Sequence, residues 1–138
     1  MKKLPSTDEA LVLRTDFSDD IAWQLICESI RDPGGEFKAY VNFLNDRQYE
    51  GITPEQLLDI IPENYEHSFI FIVDQVAISN PENPILVIDL YDEPGQAFRV
   101  IPSETWGIEN NLSIANMDFS DFANAVEQDG VFRGFPKI

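Results

Sequence analysis

Positive charge is the scarcest property of this sequence. The 138 residues include 25 Asp and Glu but only 9 Lys and Arg, so the formal net charge is -16 at pH 7. No Lys or Arg occurs from Gln48 to Phe98, and none from Val100 to Phe132. Such a charge repels nucleic-acid phosphates and anionic membranes, and we expect neither as a partner. It favours a basic protein as partner, while an acidic surface that only maintains solubility is the simpler alternative.

Cysteine, histidine and long apolar runs are also scarce. Cys27 is the only cysteine, so no intramolecular disulfide can form, and a reducing compartment is expected. The one histidine, His67, lies in a polar run, which favours a surface position. The longest apolar run, Phe69 to Val73, is too short to cross a bilayer, and residues 1–10 lack the apolar stretch of a secretory signal. We therefore predict a cytoplasmic protein.

Motifs for common cofactor chemistry are missing as well. The sequence has no phosphate-binding glycine motif and no cysteine pair for zinc, so we predict neither a cofactor nor a zinc site. What the chain does contain is a hydrophobic fraction of 43%, which is enough for one packed core. We predict a single domain over residues 1–138, with residues 1–9 as a flexible tail.

The first third of the chain predicts a βαβ unit. Leu11 to Arg14 is a short apolar strand, and Ser18, Asp19 or Asp20 can cap a helix that ends near Arg31. Phe37 to Leu44 alternates as a strand does. The apolar stripe of the helix has the width of a core-facing surface and consists of Trp23, Ile26, Cys27 and Ile30, widened by Ala22 and Leu25.

The middle of the chain predicts a short helix and then an antiparallel meander. Thr53 and Pro54 begin the helix, and Pro62 stops it. The strands are Phe69 to Val73 (with a continuation to Ile78 as an alternative), Ile85 to Leu90, and Phe98 to Ile101. The first two strands lack polar alternation, which indicates central strands covered on both faces.

The last third predicts helices and loops that cover the sheet. Ser103 to Trp106 forms one helical turn, and a loop rich in amides follows. Asp118 caps a helix that ends before Gly130, and its apolar residues recur at helical spacing: Phe119, Phe122, Ala123 and Val126. The predicted fold is therefore α+β: a mixed sheet of about five strands, with one βαβ unit and one meander, covered by two or three helices.

Charged residues at strand ends form the strongest candidate site. Asp74 and Asp89 adjoin apolar runs and need partners if they are buried, and arginines within strands can supply them. A buried arginine–carboxylate pair is structural first, and functional only if it opens into a cleft. The candidate cluster comprises Arg14, Asp16, Asp74, Asp89 and Arg99.

Three of these carboxylates permit an enzymatic alternative. Asp16, Asp74 and Asp89 could hold Mg²⁺ in a small metal-assisted hydrolase or phosphate-handling enzyme, because hard cations prefer oxygen ligands on rigid elements. The topology weighs against it, since consecutive strands of a meander end at opposite edges of the sheet. A non-enzymatic protein is favoured.

The C-terminal stretch offers a second candidate surface. Three amides there, Asn110, Asn111 and Asn116, either fix a loop through hydrogen bonds or form a recognition loop. In the second case the loop presents these amides to a partner together with Glu109 and Asp118. The exposed side of the last helix, through Asp121 and Glu127, is expected to form the edge of any binding face.

The two ends of the chain carry a resemblance. Leu11 to Trp23 (LVLRTDFSDDIAW), Phe98 to Trp106 and Trp106 to Phe135 resemble the matching segments of an uncharacterised bacterial domain family. The resemblance covers most of the chain and implies no activity. The DFSDFA portion at Asp118 to Ala123 is also similar to the endings of small acidic immunity proteins of bacterial toxin systems. We therefore predict a non-enzymatic acidic module that binds a basic protein, in the manner of an immunity or regulatory protein.

Overall fold

The core of the protein is a mixed β-sheet. The computed structural model describes residues 2–135, and its strands are β1 (Ala10–Arg14), β2 (Val41–Leu44), β3 (Phe69–Val73), β4 (Ile85–Asp89), β5 (Ala97–Val100) and β6 (Val131–Phe132). They form one six-stranded sheet in the order β2-β1-β3-β4-β5-β6. The α+β class and the mixed sheet are confirmed, with one strand more than expected.

Strand directions match the predicted combination of a βαβ unit and a meander. β1 pairs in parallel with β2 and β3, while β3–β4 and β4–β5 are antiparallel. The additional strand, β6, pairs in parallel with β5 through Val131 and Phe132. A strand of two residues has too short an alternation to be recognised from sequence.

Five helices accompany this sheet within residues 2–135, more than the two or three expected. Their bounds are α1 (Asp20–Arg31), α2 (Pro54–Asp59), α3 (Gln75–Ser79), α4 (Thr105–Leu112) and α5 (Phe119–Ala123). Both predicted N-caps of the first two helices are present. Asp19 accepts from Ala22 N at 3.0 Å, and Thr53 Oγ1 accepts from Gln56 N at 3.2 Å.

The sheet is covered on both faces, as the unbroken apolar strands predict. On one face Phe69, Phe71 and Val73 pack with helices α1, α3, α4 and α5. On the other face Ile70 and Ile72 pack with a smaller cluster that includes Tyr49, Ile52, Leu57 and Ile60. In α1 the four residues of the predicted stripe, Trp23, Ile26, Cys27 and Ile30, are buried. Of the two residues expected to widen it, Ala22 is half-buried and Leu25 is 55% exposed.

The N-terminal residues are bound to the body of the domain, in contrast to the flexible tail expected for residues 1–9. Leu4 is 3% exposed within the second cluster, and its N–H donates to Ile60 O at 3.0 Å. Tyr49 Oη donates to Lys3 O at 3.2 Å, and Glu9 N donates to Asn42 Oδ1 at 3.0 Å. We call residues 3–9 the N-terminal strap. The strap is attached to the domain by one buried apolar side chain and by hydrogen bonds of its backbone.

Two strand predictions are corrected by local contacts. β3 does not continue to Ile78, because Asp74 Oδ1 accepts from Ala77 N at 3.1 Å and begins α3. The strand predicted from Phe37 is only Val41–Leu44. Phe37 instead stacks on Trp106, with ring centroids 5.2 Å apart.

The C-terminal third differs most from expectation. α4 extends through the stretch that was predicted as an amide-rich loop, because Ile108 and Leu112 are buried on the sheet. α5 ends at Ala123, well before Gly130. Asp118 is the N-cap residue of α5, as predicted, and its N–H donates to the Asp121 carboxylate at 2.9 Å. Tertiary burial has overridden local propensity in α4.

Candidate functional site

The strand-end cluster does not converge on one site. Asp74 follows the last residue of β3, whereas Asp89 is in register with Phe69, the first residue of β3. Asp74 and Asp89 are therefore five residues apart along the strand direction, which at about 3.3 Å per residue is roughly 16 Å. Arg14, Asp16, Asp74 and Arg99 lie at the carboxyl end of the parallel strands, and we call that end the paired edge. Asp89 lies at the opposite end.

Arg14 holds one half of the paired edge together. Its side chain is only 3% exposed, and its Nη2 contacts Asp20 Oδ1 at 2.7 Å. Nε donates to Asp16 O at 2.9 Å, and the guanidinium lies 4.4 Å from the ring centroid of Phe17. The carboxylate of Asp16 accepts from Ser18 N at 2.9 Å. These contacts fix the turn between β1 and α1.

Arg99 and Asp74 form the other half. The contact is bidentate, with Nη1 to Oδ1 at 2.9 Å and Nη2 to Oδ2 at 2.7 Å, and Nη1 also donates to Pro84 O at 3.0 Å. Since Asp74 also caps α3, the pair ties β5 to the β3–α3 junction. This is the structural role that the sequence offered as the first interpretation of an arginine–carboxylate pair.

The three carboxylates of the enzymatic alternative do not share a cation site. Asp16 and Asp74 lie at the paired edge and Asp89 at the other end, too far for ligand distances of 2.3–2.6 Å. Among residues 2–135, no three His, Cys, Asp or Glu side chains are grouped closely enough to hold a metal ion.

The opposite end of the sheet contains an acidic groove of about 670 Å³. Its walls come from the N-terminal strap, the segment before β3, the β4–β5 turn, α4 and the start of α5. Among residues 2–135, no Lys or Arg lines it. The carboxylates that line it are Asp8, Glu9, Glu66, Asp89, Asp92, Glu109 and Asp118.

Asp89 is buried in this groove and is held only by neutral donors. It is 1% exposed. Oδ1 accepts from Tyr91 N at 2.9 Å and Asp92 N at 3.2 Å, and Oδ2 accepts from Glu93 N at 2.9 Å. These three backbone bonds shape the β4–β5 turn and compensate the loss of water. They do not neutralise the charge.

Glu109 is the second buried carboxylate of the groove, with 5% exposure. Oε1 accepts from Tyr40 N at 2.6 Å and Asn110 Nδ2 at 3.0 Å, and Oε2 accepts from Ser113 Oγ at 2.6 Å. Through these bonds α4 fixes the chain entering β2. Within residues 2–135, the groove therefore contains two buried carboxylates whose hydrogen-bond donors are all neutral.

Aromatic side chains border the groove. Tyr40 is 55% exposed and Tyr91 is 77% exposed, although tyrosine rings ordinarily gain from burial. Lys38 Nζ lies 5.4 Å from the ring centroid of Tyr40, so one face of that ring already meets a cation. His67 also lines the groove, and beside it burial raises the pKa of Tyr65 to about 12.

The amides of the C-terminal stretch make internal contacts. Asn110 Nδ2 donates to Lys38 O at 3.0 Å, and Asn111 Nδ2 donates to Gly107 O at 2.7 Å. Asn116 Nδ2 in turn donates to Asn111 Oδ1 at 2.8 Å. The predicted recognition set also included the carboxylates Glu109 and Asp118, and these two line the groove, whereas the three amides do not.

Glu127 belongs to a cluster around Arg133, away from the groove. Arg133 contacts Glu127, Asp129 at 2.7 Å and Glu82 at 2.8 Å. Hydrogen bonds from Arg133 lower the pKa of Glu82 and of Asp129, and the carboxylates raise the pKa of Arg133. Asp121 is engaged in the α5 cap, so the expected edge through Asp121 and Glu127 consists of residues with internal partners.

Several groove residues were missed at the sequence level. They come from the strap and from the exposed borders: Asp8, Glu9, Tyr40, Glu66, His67, Tyr91 and Asp92. One available signal was Tyr91 in a run of turn residues, since an aromatic ring there has no strand or helix to pack it. The other acids carry no signal, because their convergence depends on which ends of the strands meet.

Comparison with known proteins places the chain in a family. The model of DUF6924, a domain of unknown function, matches residues 9–135, so the chain belongs to this family. The resemblance carried by the two ends of the sequence is thereby confirmed. No curated protein matches the chain. In the described part of the chain, no helix has the length and apolar character needed to span a membrane.

Proposed function

We propose that this member of the DUF6924 family is a non-enzymatic binding module whose acidic groove receives a basic segment of a partner protein, in the manner of an immunity or regulatory protein. One observation carries the proposal: carboxylates from separate elements meet in one groove, and no Lys or Arg of the described part of the chain lines it. Like charges brought together destabilise a folded protein unless a gain elsewhere compensates. A cationic partner would supply that gain.

The buried carboxylates make the groove more attractive to a cation than a solvated acidic surface would be. Asp89 and Glu109 are shielded from water, so their field is weakened less by the solvent. The exposed ring of Tyr91 adds a face on which a guanidinium can stack. Arg matches this environment better than Lys, because it is less strongly hydrated and bonds carboxylates through two parallel N–H groups.

The dimensions of the groove limit how much of a partner can enter. A volume of about 670 Å³ lies within the usual range for pockets that hold small ligands, roughly 300–1,000 Å³. That space accommodates a few side chains and not a folded surface. The proposed occupant is therefore a short Arg-containing loop or terminus, with the remaining acidic surface steering its approach.

The proposal is tested by binding of a labelled hexa-arginine peptide with blocked ends, measured by fluorescence anisotropy in 50 mM salt. The groove variant combines Asp8→Asn, Glu66→Gln and Asp92→Asn, whose exposed side chains can change with little effect on packing. We expect affinity to fall about tenfold or more in this variant, because three charges near the ligand are lost and 50 mM salt screens them only in part. Raising the salt to 300 mM is expected to weaken wild-type binding to a similar extent.

A matched control changes net charge without touching the groove. It combines Glu28→Gln, Asp32→Asn and Glu55→Gln, which are exposed and do not line the groove. Affinity within about twofold of the wild type is expected for it. Equal weakening in both triple variants would mean that the peptide senses only net charge, and the groove would then have no special role.

The metal-assisted alternative receives no comparable support. Its carboxylates are divided between the two ends of the sheet, and Asp16 and Asp74 each accept hydrogen bonds within the paired edge.

A further inference from the structure

We infer that His67 makes occupancy of the acidic groove dependent on pH, by placing a positive charge inside it when protonated. The inference rests on the proposed function, since it concerns the same groove and the same cationic occupant. His67 is the only histidine of the chain and lines the groove. Histidine is the side chain whose charge ordinarily changes between pH 5 and pH 8.

The hydrogen bond of His67 determines what protonation does to the structure. Nε2 lies 2.8 Å from Thr7 O, and a carbonyl oxygen only accepts, so Nε2 carries the hydrogen. In the neutral ring Nδ1 is then the acceptor. Adding a proton converts Nδ1 into a donor and leaves the bond to Thr7 intact. Protonation thus changes the charge of the groove without releasing the N-terminal strap.

The charged groups that share the groove with His67 are carboxylates from several elements. The N-terminal strap contributes Asp8 and Glu9 to the groove. The one lysine of the strap, Lys3, donates a hydrogen bond from Nζ to Asp59 O at 2.9 Å. Glu66 is adjacent in sequence, and the ring of Tyr65 meets the imidazole edge-on at 5.5 Å. The remaining walls contribute carboxylates from the β4–β5 turn, α4 and α5: Asp89, Asp92, Glu109 and Asp118.

A proton on His67 and a cation in the groove therefore compete for the same carboxylates. By linkage, a basic occupant binds more weakly once His67 is protonated, and it reciprocally opposes that protonation. Binding should be strongest above neutral pH and should decline as the pH falls toward 5.5. Free Asp and Glu side chains titrate near pH 4, so they remain mostly ionised over this interval.

The test compares wild type with His67→Gln, using the same hexa-arginine peptide at pH 7.5 and pH 5.5 in 50 mM salt. The Gln amide can still donate to Thr7 O but cannot become charged. For wild type we expect about fivefold weaker binding at pH 5.5, the effect of one unit charge roughly 8 Å from the bound cation at an effective dielectric constant of roughly 40. For His67→Gln the change should stay below about twofold.

A second variant separates charge from side-chain shape. His67→Arg carries the positive charge at both pH values, so its affinity at pH 7.5 should already equal that of wild type at pH 5.5. Equal pH dependence in wild type and His67→Gln would overturn the role of His67 while leaving the proposed function intact. Failure of the wild type to bind the peptide at pH 7.5 would instead defeat the proposed function itself. Thermal unfolding of each variant confirms that the fold is retained.

Discussion

The two ends of the sheet differ in the groups that donate hydrogen bonds to their carboxylates. At the paired edge Asp20 and Asp74 each contact an arginine, at 2.7 Å in both cases. In the acidic groove Asp89 and Glu109 are more deeply buried, yet backbone amides, one hydroxyl and one side-chain amide supply all their observed hydrogen bonds. At the paired edge arginines neutralise the carboxylates that they contact, whereas in the groove no Lys or Arg of residues 2–135 contacts Asp89 or Glu109.

This contrast explains why burial alone is a poor guide to function. Both ends contain buried charged residues, and the sequence pattern predicted candidate site residues at both ends. What distinguishes them is the identity of the donors. A charged donor fixes a carboxylate and cancels its field, whereas a neutral donor fixes the carboxylate and leaves the field in place.

The largest effect is expected from breaking the paired edge at Arg14. Arg14→Leu preserves much of the buried volume but removes the charge-assisted bonds to Asp16 O and Asp20. We expect the free energy of unfolding to fall by about 2–3 kcal/mol in urea denaturation. Arg47→Leu is the control, because Arg47 is 69% exposed, and it should change stability by less than about 0.5 kcal/mol. Similar losses in the two variants would contradict the structural role of Arg14.

A smaller effect on the free energy of unfolding is expected when one carboxylate at each end of the sheet is replaced by an amide. Asp74→Asn breaks the bidentate contact with Arg99 and is expected to lower the free energy of unfolding by about 1.5 kcal/mol. Glu109→Gln keeps an oxygen for Tyr40 N and a donor for Ser113 Oγ, and it removes one charge from the groove. Its loss should be less than half that of Asp74→Asn. The reverse order, measured by urea denaturation, would mean that the charge of Glu109 is already neutralised.

The smallest effect concerns the exposed cluster around Arg133. The pKa values of Glu82 and Asp129 are lowered in the folded state, so their contribution is present above the unfolded pKa, near 4. This contribution to stability is lost as the pH falls through the pKa values that the two carboxyl groups have in the folded state. Arg133→Gln should therefore lower the melting temperature slightly at pH 7 and leave it unchanged near pH 2. A difference that persists at the lowest pH would point to packing and not to these ion pairs.

Local signals were sufficient for much of the fold. The cap of α1, the capping box of α2 and the strand order of the meander follow from residues that act within a few positions of each other, such as Asp19 and Thr53. The two-faced burial of β3 follows from its unbroken apolar run.

The predictions of secondary structure were wrong where contacts between distant residues determine the structure. The helix α4 contains Gly107, Asn110 and Asn111, which are weak helix formers, and burial of Ile108 and Leu112 stabilises it nonetheless. For α3 the sequence did contain a usable signal, because an Asp directly after an apolar strand can act as an N-cap.

The acidic groove could not be derived from sequence for a different reason. Its residues range from Asp8 to Phe119, and only the sheet order brings them together. The antiparallel direction of β4 was predicted, and it placed Asp89 away from Asp74. The position of the N-terminal strap was not predicted, and without the strap one wall of the groove is missing.

The short strand β6 has a consequence for the order of events during synthesis. Until residues 131–135 are made, β5 lacks its parallel neighbour, and Glu82 lacks its contact with Arg133. A nascent chain that has produced everything before Gly130 thus presents an open strand edge, of the kind on which chains aggregate. Val131 and Phe132 thus cover the edge of β5, and a product that stops shortly before them would be prone to self-association.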